Sequence, residues 1–202
     1  MVSAASKELV GRINLKDVRV LCVDPTNQGQ DILAGMLRGF GVEQTVRLHT
    51  AAEAKQELQR GEFDMVIADA DLEDETGFDL VRWLRRSALD PNRYVPFLIM
   101  CGHTSPIAID SARTCGASFV VAKPTSPAVL MRRILWVAAG GRQFVESDGY
   151  VGPDRRWKFD GPPAGSQGRR SSDKVVKLGH AQEPNLSQDE INAVFKPQKI
   201  SL

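Results

Sequence analysis

Two carboxylates and one ammonium stand at equivalent places along the chain. Asp24 ends the apolar run Val18–Val23, Asp69 ends Met65–Ala68, and Lys123 ends Phe119–Ala122. Converging on one crevice, they would form either a divalent-cation and phosphoryl site or a structural salt bridge, and residue types alone leave both open. A second set lies in the tail. Arg155-Arg156 is followed by Asp160 and Arg169-Arg170 by Asp173, with Trp157 inside the first copy. Arginine offers a two-pronged donor to guanine O6 and N7 or to phosphate, and aspartate can accept from the guanine Watson–Crick edge. An indole adds a flat stacking platform. Two copies suit a ligand with two guanines and two phosphates, namely cyclic di-GMP. The plain alternative is a solvated basic linker whose arginines bind nothing in particular.

A third feature closes the chain. In Leu186-Ser-Gln-Asp-Glu-Ile-Asn-Ala-Val-Phe195, Ser187 and Glu190 have the spacing of a capping box, and Leu186 can staple against Ile191. Ile191, Val194 and Phe195 fall on one helical stripe, which Pro197 ends. A helix this short is unstable alone and needs a surface to dock on, either its own domain or a partner's groove.

The elements that must position these groups alternate strictly. Short apolar strands at Val18–Val23, Val42–Leu48, Met65–Ala68, Val95–Cys101 and Phe119–Ala122 are separated by amphipathic stretches. The predicted helices cover Ile32–Phe40, Thr50–Arg60 with Thr50 as cap, Phe78–Ser87, Ser105–Cys115 and Ser126–Ala139. Continuous apolar strands between helices imply a doubly wound α/β domain with a five-stranded parallel sheet. In such a sheet the chemistry belongs at the carboxyl ends of the strands, where Asp24, Asp69 and Lys123 fall.

Composition changes near residue 140. The 62 residues from Gly141 to Leu202 hold seven Gly and five Pro and lose sustained periodicity. The reading is therefore a core-bearing domain at 15–140, an arginine-, Gly- and Pro-rich, largely irregular extension at 141–185, and a short amphipathic helix at 186–196. Lys and Arg number 26 against 25 Asp and Glu, so a net charge of +1 gives no general attraction to DNA. No apolar run reaches the ~18 residues of a membrane span. The start MVSAASKELVGR lacks the apolar core of a signal peptide, and the three cysteines are odd in number, which together point to the cytoplasm. No triad, phosphate-binding loop or metal-ligand cluster supports an independent enzyme.

These residues resemble the CheY-like receiver domains of bacterial response regulators over roughly residues 16–140. "VLCVD" carries the first acid, Asp24; "VIADADLEDETG" matches the phosphoacceptor loop, with Asp69 at the acceptor position and Gly77 closing it; "GASFVVAKP" carries the Lys123-Pro124 pair. The resemblance implies phosphorylation at Asp69 with Mg²⁺ held by Asp24 and Asp69. Four departures run against it. Pro25 replaces a second acid, Cys101 a phosphate-binding Ser/Thr and Val120 the switch aromatic, while Glu73 stands where Pro is common.

The arginine-rich extension resembles that of the Cle class of CheY-like regulators. There the segment binds cyclic di-GMP and the receiver then engages the flagellar motor; the positions carried over are Arg155, Arg156, Asp160, Arg169, Arg170 and Asp173. The Leu186–Phe195 segment is similar to the "LSQ-x-EIDALL" peptide of the flagellar switch protein FliM, with Asn192 and Val194-Phe195 departing from it. The two resemblances imply a non-catalytic regulator recruited to a FliM-like partner at the flagellated pole, with its own terminal helix as an internal competitor. A phosphoaccepting response regulator and a ligand-independent docking adaptor are the alternatives.

Overall fold

In a computed structural model of the chain, which describes residues 15–102, 106–138 and 143–154, the apolar runs form five strands. These are β1 (Arg19–Val23), β2 (Gln44–Leu48), β3 (Met65–Asp69), β4 (Phe97–Cys101) and β5 (Phe119–Ala122). Between them lie α1 (Asn27–Gly39), α2 (Ala51–Arg60), α3 (Gly77–Arg86), α4 (Pro106–Cys115) and, last, α5 (Pro127–Ala138). The sheet is parallel with order β2-β1-β3-β4-β5, the doubly wound fold expected from the alternation.

Strand residues point alternately to two faces, and each face has its own core. Leu21, Val23, Val66, Ala68, Phe97 and Ile99 pack under α2, α3 and α4. Val20, Cys22, Ile67, Leu98 and Met100 pack under α1 and α5, against Leu33, Leu37, Leu130 and Ile134. Most of these side chains are fully buried, each stabilising the fold by about 1.5–3 kcal/mol. The helix starts follow from their capping residues. Thr50 and Glu53 form a reciprocal capping box on α2, while Thr26 and Thr76 accept from Gly29 N–H and Asp79 N–H at the starts of α1 and α3.

The chain does not leave the domain at residue 140. Part of the expected irregular extension forms an antiparallel hairpin of β6 (Phe144–Ser147) and β7 (Tyr150–Pro153), closed by Asp154 N–H donating to Gln143 O at 2.7 Å. The hairpin packs at the amino ends of β4 and β5. Phe144 meets Tyr94 edge-on at 5.0 Å and lies 5.1 Å from the Arg85 guanidinium, while Arg93 pairs with Glu146 at 2.7 Å. Gly116 makes this approach possible. It has φ +93°, and a Cβ there would come within 2.5 Å of the Val151 carbonyl oxygen. Composition concealed the hairpin because it borrows its core from the receiver: Phe144 packs on Tyr94 and Arg85, both distant in sequence.

Arg85 anchors that end of the molecule. It is 1% exposed and donates to three carbonyls, of Gly116 (3.1 Å), Arg93 (2.7 Å) and Val95 (2.8 Å). Burial pushes its pKa down to about 10, so it remains charged at neutral pH.

Candidate functional site

Register brings the three sequence-selected groups together. Val23 lies opposite Ala68, Asp69 opposite Met100, and Cys101 opposite Ala122. The residues that follow β1 and β5, together with the last of β3, therefore meet at the carboxyl edge of the sheet. Lys123 Nζ donates to Asp24 Oδ2 at 2.7 Å and makes a short hydrogen bond to Asp69 Oδ2. The remaining oxygens are engaged as well. Asp24 Oδ1 accepts from Thr26 N–H (2.9 Å) and Thr26 Oγ1–H (2.8 Å), and Asp69 Oδ1 accepts from Asp71 N–H (2.9 Å). The expected juxtaposition of Asp24, Asp69 and Lys123 is present as an ion-paired triad.

Two glycines make room for it. A Cβ at Gly29 would collide with both Asp24 carboxylate oxygens, and one at Gly77 would collide with the Asp69 carbonyl oxygen. Gly77 was legible in the sequence as the residue closing the acidic loop. Gly29 was not, because nothing in its helical surroundings announces a carboxylate above it. Gln30 is another residue the sequence did not point to. It is buried, and its Nε2 donates to the carbonyls of Asp24 (3.0 Å) and Leu48 (2.8 Å), fixing the turn after β1.

The electrostatics match a locked pair of charges. Burial alone would raise the Asp24 pKa, but hydrogen bonds from Lys123 and Thr26 hold it below its ordinary value of 3.8. Burial likewise pulls the Lys123 pKa down, and the two carboxylates outweigh it and keep it above 10.5.

Asp24 and Asp69 supply the carboxylates a Mg²⁺ ion would use, both are paired with Lys123, and Pro25 contributes no side-chain oxygen. Among the described residues no group of three or more His, Cys, Asp or Glu could hold a metal. Cys101 is buried at 4% exposure, and Val120 packs against the hydrophobic core; neither replaces the oxygen donor or the aromatic whose place it takes.

The tail positions Arg155, Arg156, Trp157, Asp160, Arg169, Arg170 and Asp173, and the stripe Leu186, Ile191, Val194 and Phe195, lie outside the described residues. No described helix is long and apolar enough to cross a membrane.

A doubly wound sheet with two acids and a lysine at its carboxyl edge defines the class of signalling receivers. The sequence matches the response regulator receiver domain over residues 20–135, and the chain belongs to that family. It is 27% identical over 117 residues to the chemotaxis protein CheY of Pseudomonas aeruginosa, covering 58% of this chain and 93% of that protein. It is 24% identical over 134 residues to the sensory/regulatory protein RpfC of Xanthomonas campestris, 66% of this chain but only 18% of RpfC's length. Among solved structures, the receiver domain of the sensor histidine kinase PA1611 from Pseudomonas aeruginosa shares the fold, with TM-score 0.54 and 22% identity. The match covers 60% of this chain and 96% of that one. That domain holds a magnesium ion in its active-site cleft.

Proposed function

We propose that this chain is a receiver-fold regulator of the Cle type, driven by a bound nucleotide rather than by phosphoryl transfer. The observation that carries the reading is the Asp24–Lys123–Asp69 triad beside Pro25, which commits the phosphoacceptor's neighbours to one another. The doubled Arg-Arg…Asp theme supplies a different input. Arg155, Arg156, Asp160, Arg169, Arg170 and Asp173 would grip the guanines and phosphates of cyclic di-GMP, and Trp157 would stack on a base. Relatives named as chemotaxis proteins support a target in motility, and a FliM-like motor switch protein is the partner we assign. The Leu186–Phe195 helix would compete with that partner's peptide by docking on its own receiver, and binding would bring the protein from the cytoplasm to the flagellated pole. No catalytic role is assigned.

The test is calorimetric titration of cyclic di-GMP into the full chain and into a chain ending at Gly141. Saturable binding to the first alone is expected. Equal binding of GTP, or undiminished binding by the shortened chain, would refute the assignment. A second reading, phosphate acceptance at Asp69, draws on the retained Asp69 and Lys123-Pro124 pair; labelling of the wild type by acetyl phosphate, absent in Asp69→Asn, would favour it.

A further inference from the structure

A second polar cleft lies at the opposite end of the sheet from the acidic triad. It opens between the carboxyl end of α3, the end of α4 and the β6–β7 turn, and its walls include Arg82, Arg85, Arg86, Thr114, Gly149 and Tyr150. Three guanidinium groups there face a shortage of negative charge. Arg82 is paired with Asp79 at 2.5 Å, whereas Arg85 spends its donors on carbonyls and has no carboxylate partner among the described residues. Arg86 is exposed and makes no ion pair among the described residues. Glu146, the acid of β6, is committed to Arg93 at 2.7 Å, and Asp148 in the turn is exposed.

Arg82 and Arg86 stand four residues apart on one helical face, where like charges repel. The carboxyl end of α3 offsets part of that repulsion through its carbonyls. An anion entering the cleft would relieve the remainder, and guanidinium groups suit the oxygens of a tetrahedral one. Size narrows the class. The cleft has a volume of about 60 Å³, and at roughly 10–15 Å³ per water this is room for a few waters. A phosphoryl group fits that space and a purine base does not.

We propose that this cleft is a binding site for a phosphoryl oxyanion, supplied either by inorganic phosphate or by a phosphodiester of the nucleotide held in the tail. The second source rests on the function proposed above; the site itself does not.

The experiment uses the full chain and inorganic phosphate titrated at constant ionic strength, with chloride as the balancing anion. The readouts are the amide resonances of Thr114 and Gly149 and the melting temperature. Saturable shifts of both amides and a rise in melting temperature are expected. Both should weaken at least tenfold in apparent affinity in Arg82→Gln/Arg86→Gln and persist in Arg155→Ala/Arg156→Ala. The single variant Arg86→Gln, at an exposed position, guards against loss of folding in the double variant and should show a partial loss. Absent shifts, or shifts unchanged in the Arg82/Arg86 variants, would overturn the proposal and leave the basic turn as a helix terminus only. Cyclic di-GMP then separates the sources. If it moves the same amides and competes with phosphate, the cleft holds its phosphodiester. If it binds without moving them, the cleft holds free phosphate. If only phosphate binds, the tail reading fails while this site stands.

Discussion

Replacing Gly116 by alanine should detach the hairpin from the receiver. The residue sits at φ +93°, where a side chain costs about 1–2 kcal/mol. Its new Cβ would also stand 2.5 Å from Val151 O and 3.1 Å from the Arg85 side chain, so β7 would have to move away. Phe144 is 9% exposed, and losing its burial removes about 1.5–3 kcal/mol. The edge-on contact with Tyr94 at 5.0 Å adds about 0.5–1.5 kcal/mol. The total is about 3–6 kcal/mol, a fall in melting temperature of about 10–20 °C for a domain of this size. The decisive assay is a cycle of four proteins, the wild type and Gly116→Ala, each with and without residues 142–202, followed by thermal and urea denaturation. In the shortened pair the substitution should cost only the backbone strain. An equal cost in both backgrounds would show that Gly116 does not serve the hairpin, and the packing argument would fail.

Further expectations concern the buried charges. Lys123→Ala leaves two carboxylates without their shared cation and should destabilise the fold by about 1–3 kcal/mol; magnesium chloride should then raise the variant's melting temperature while leaving that of the wild type unmoved. Asp24, with its pKa held below 3.8, contributes stability that is present above that value and lost as pH falls through its folded pKa. The wild type should therefore lose stability below about pH 4, and this acid-dependent part should shrink in Lys123→Ala. Lys123 has the opposite sign: its raised pKa gives stability that is complete below 10.5 and lost at higher pH, an alkaline limb that a pH series on Lys123→Ala should lack. Arg85→Ala would strand the buried carbonyls of Gly116 and Val95 and the part-buried one of Arg93, at about 1–3 kcal/mol for each buried one left unsatisfied, and Arg85→Lys should rescue little because one ammonium cannot replace the planar fork; circular dichroism melts of the two variants test this.

The sheet was legible because each strand is a short apolar run with its own punctuation, and the triad because a parallel sheet gathers every strand's carboxyl end at one edge. Asp24, Asp69 and Lys123 could thus be grouped before their contacts were known. Which chemistry they perform was not legible, since both readings use the same residues; the choice depends on Lys123 reaching both carboxylates at once. The hairpin was hidden for a different reason. Four-residue strands joined by a turn at Gly149, with Gly152 inside β7, carry little periodic signal, and their stabilisation comes from Arg85, Tyr94 and Gly116, distant in sequence. Arg85 itself reads as an ordinary surface arginine of an amphipathic helix, and only the three carbonyls around it reveal a buried anchor.

Under the proposed function, output follows the nucleotide and not phosphate at Asp69. The decisive measurement is swimming in the native host, with the chromosomal copy replaced by Asp69→Asn or by Arg155→Ala/Arg156→Ala. Asp69→Asn should swim like the wild type, while the arginine variant should behave like a deletion. Deletion-like swimming in Asp69→Asn, with the arginine variant unaffected, would contradict that function.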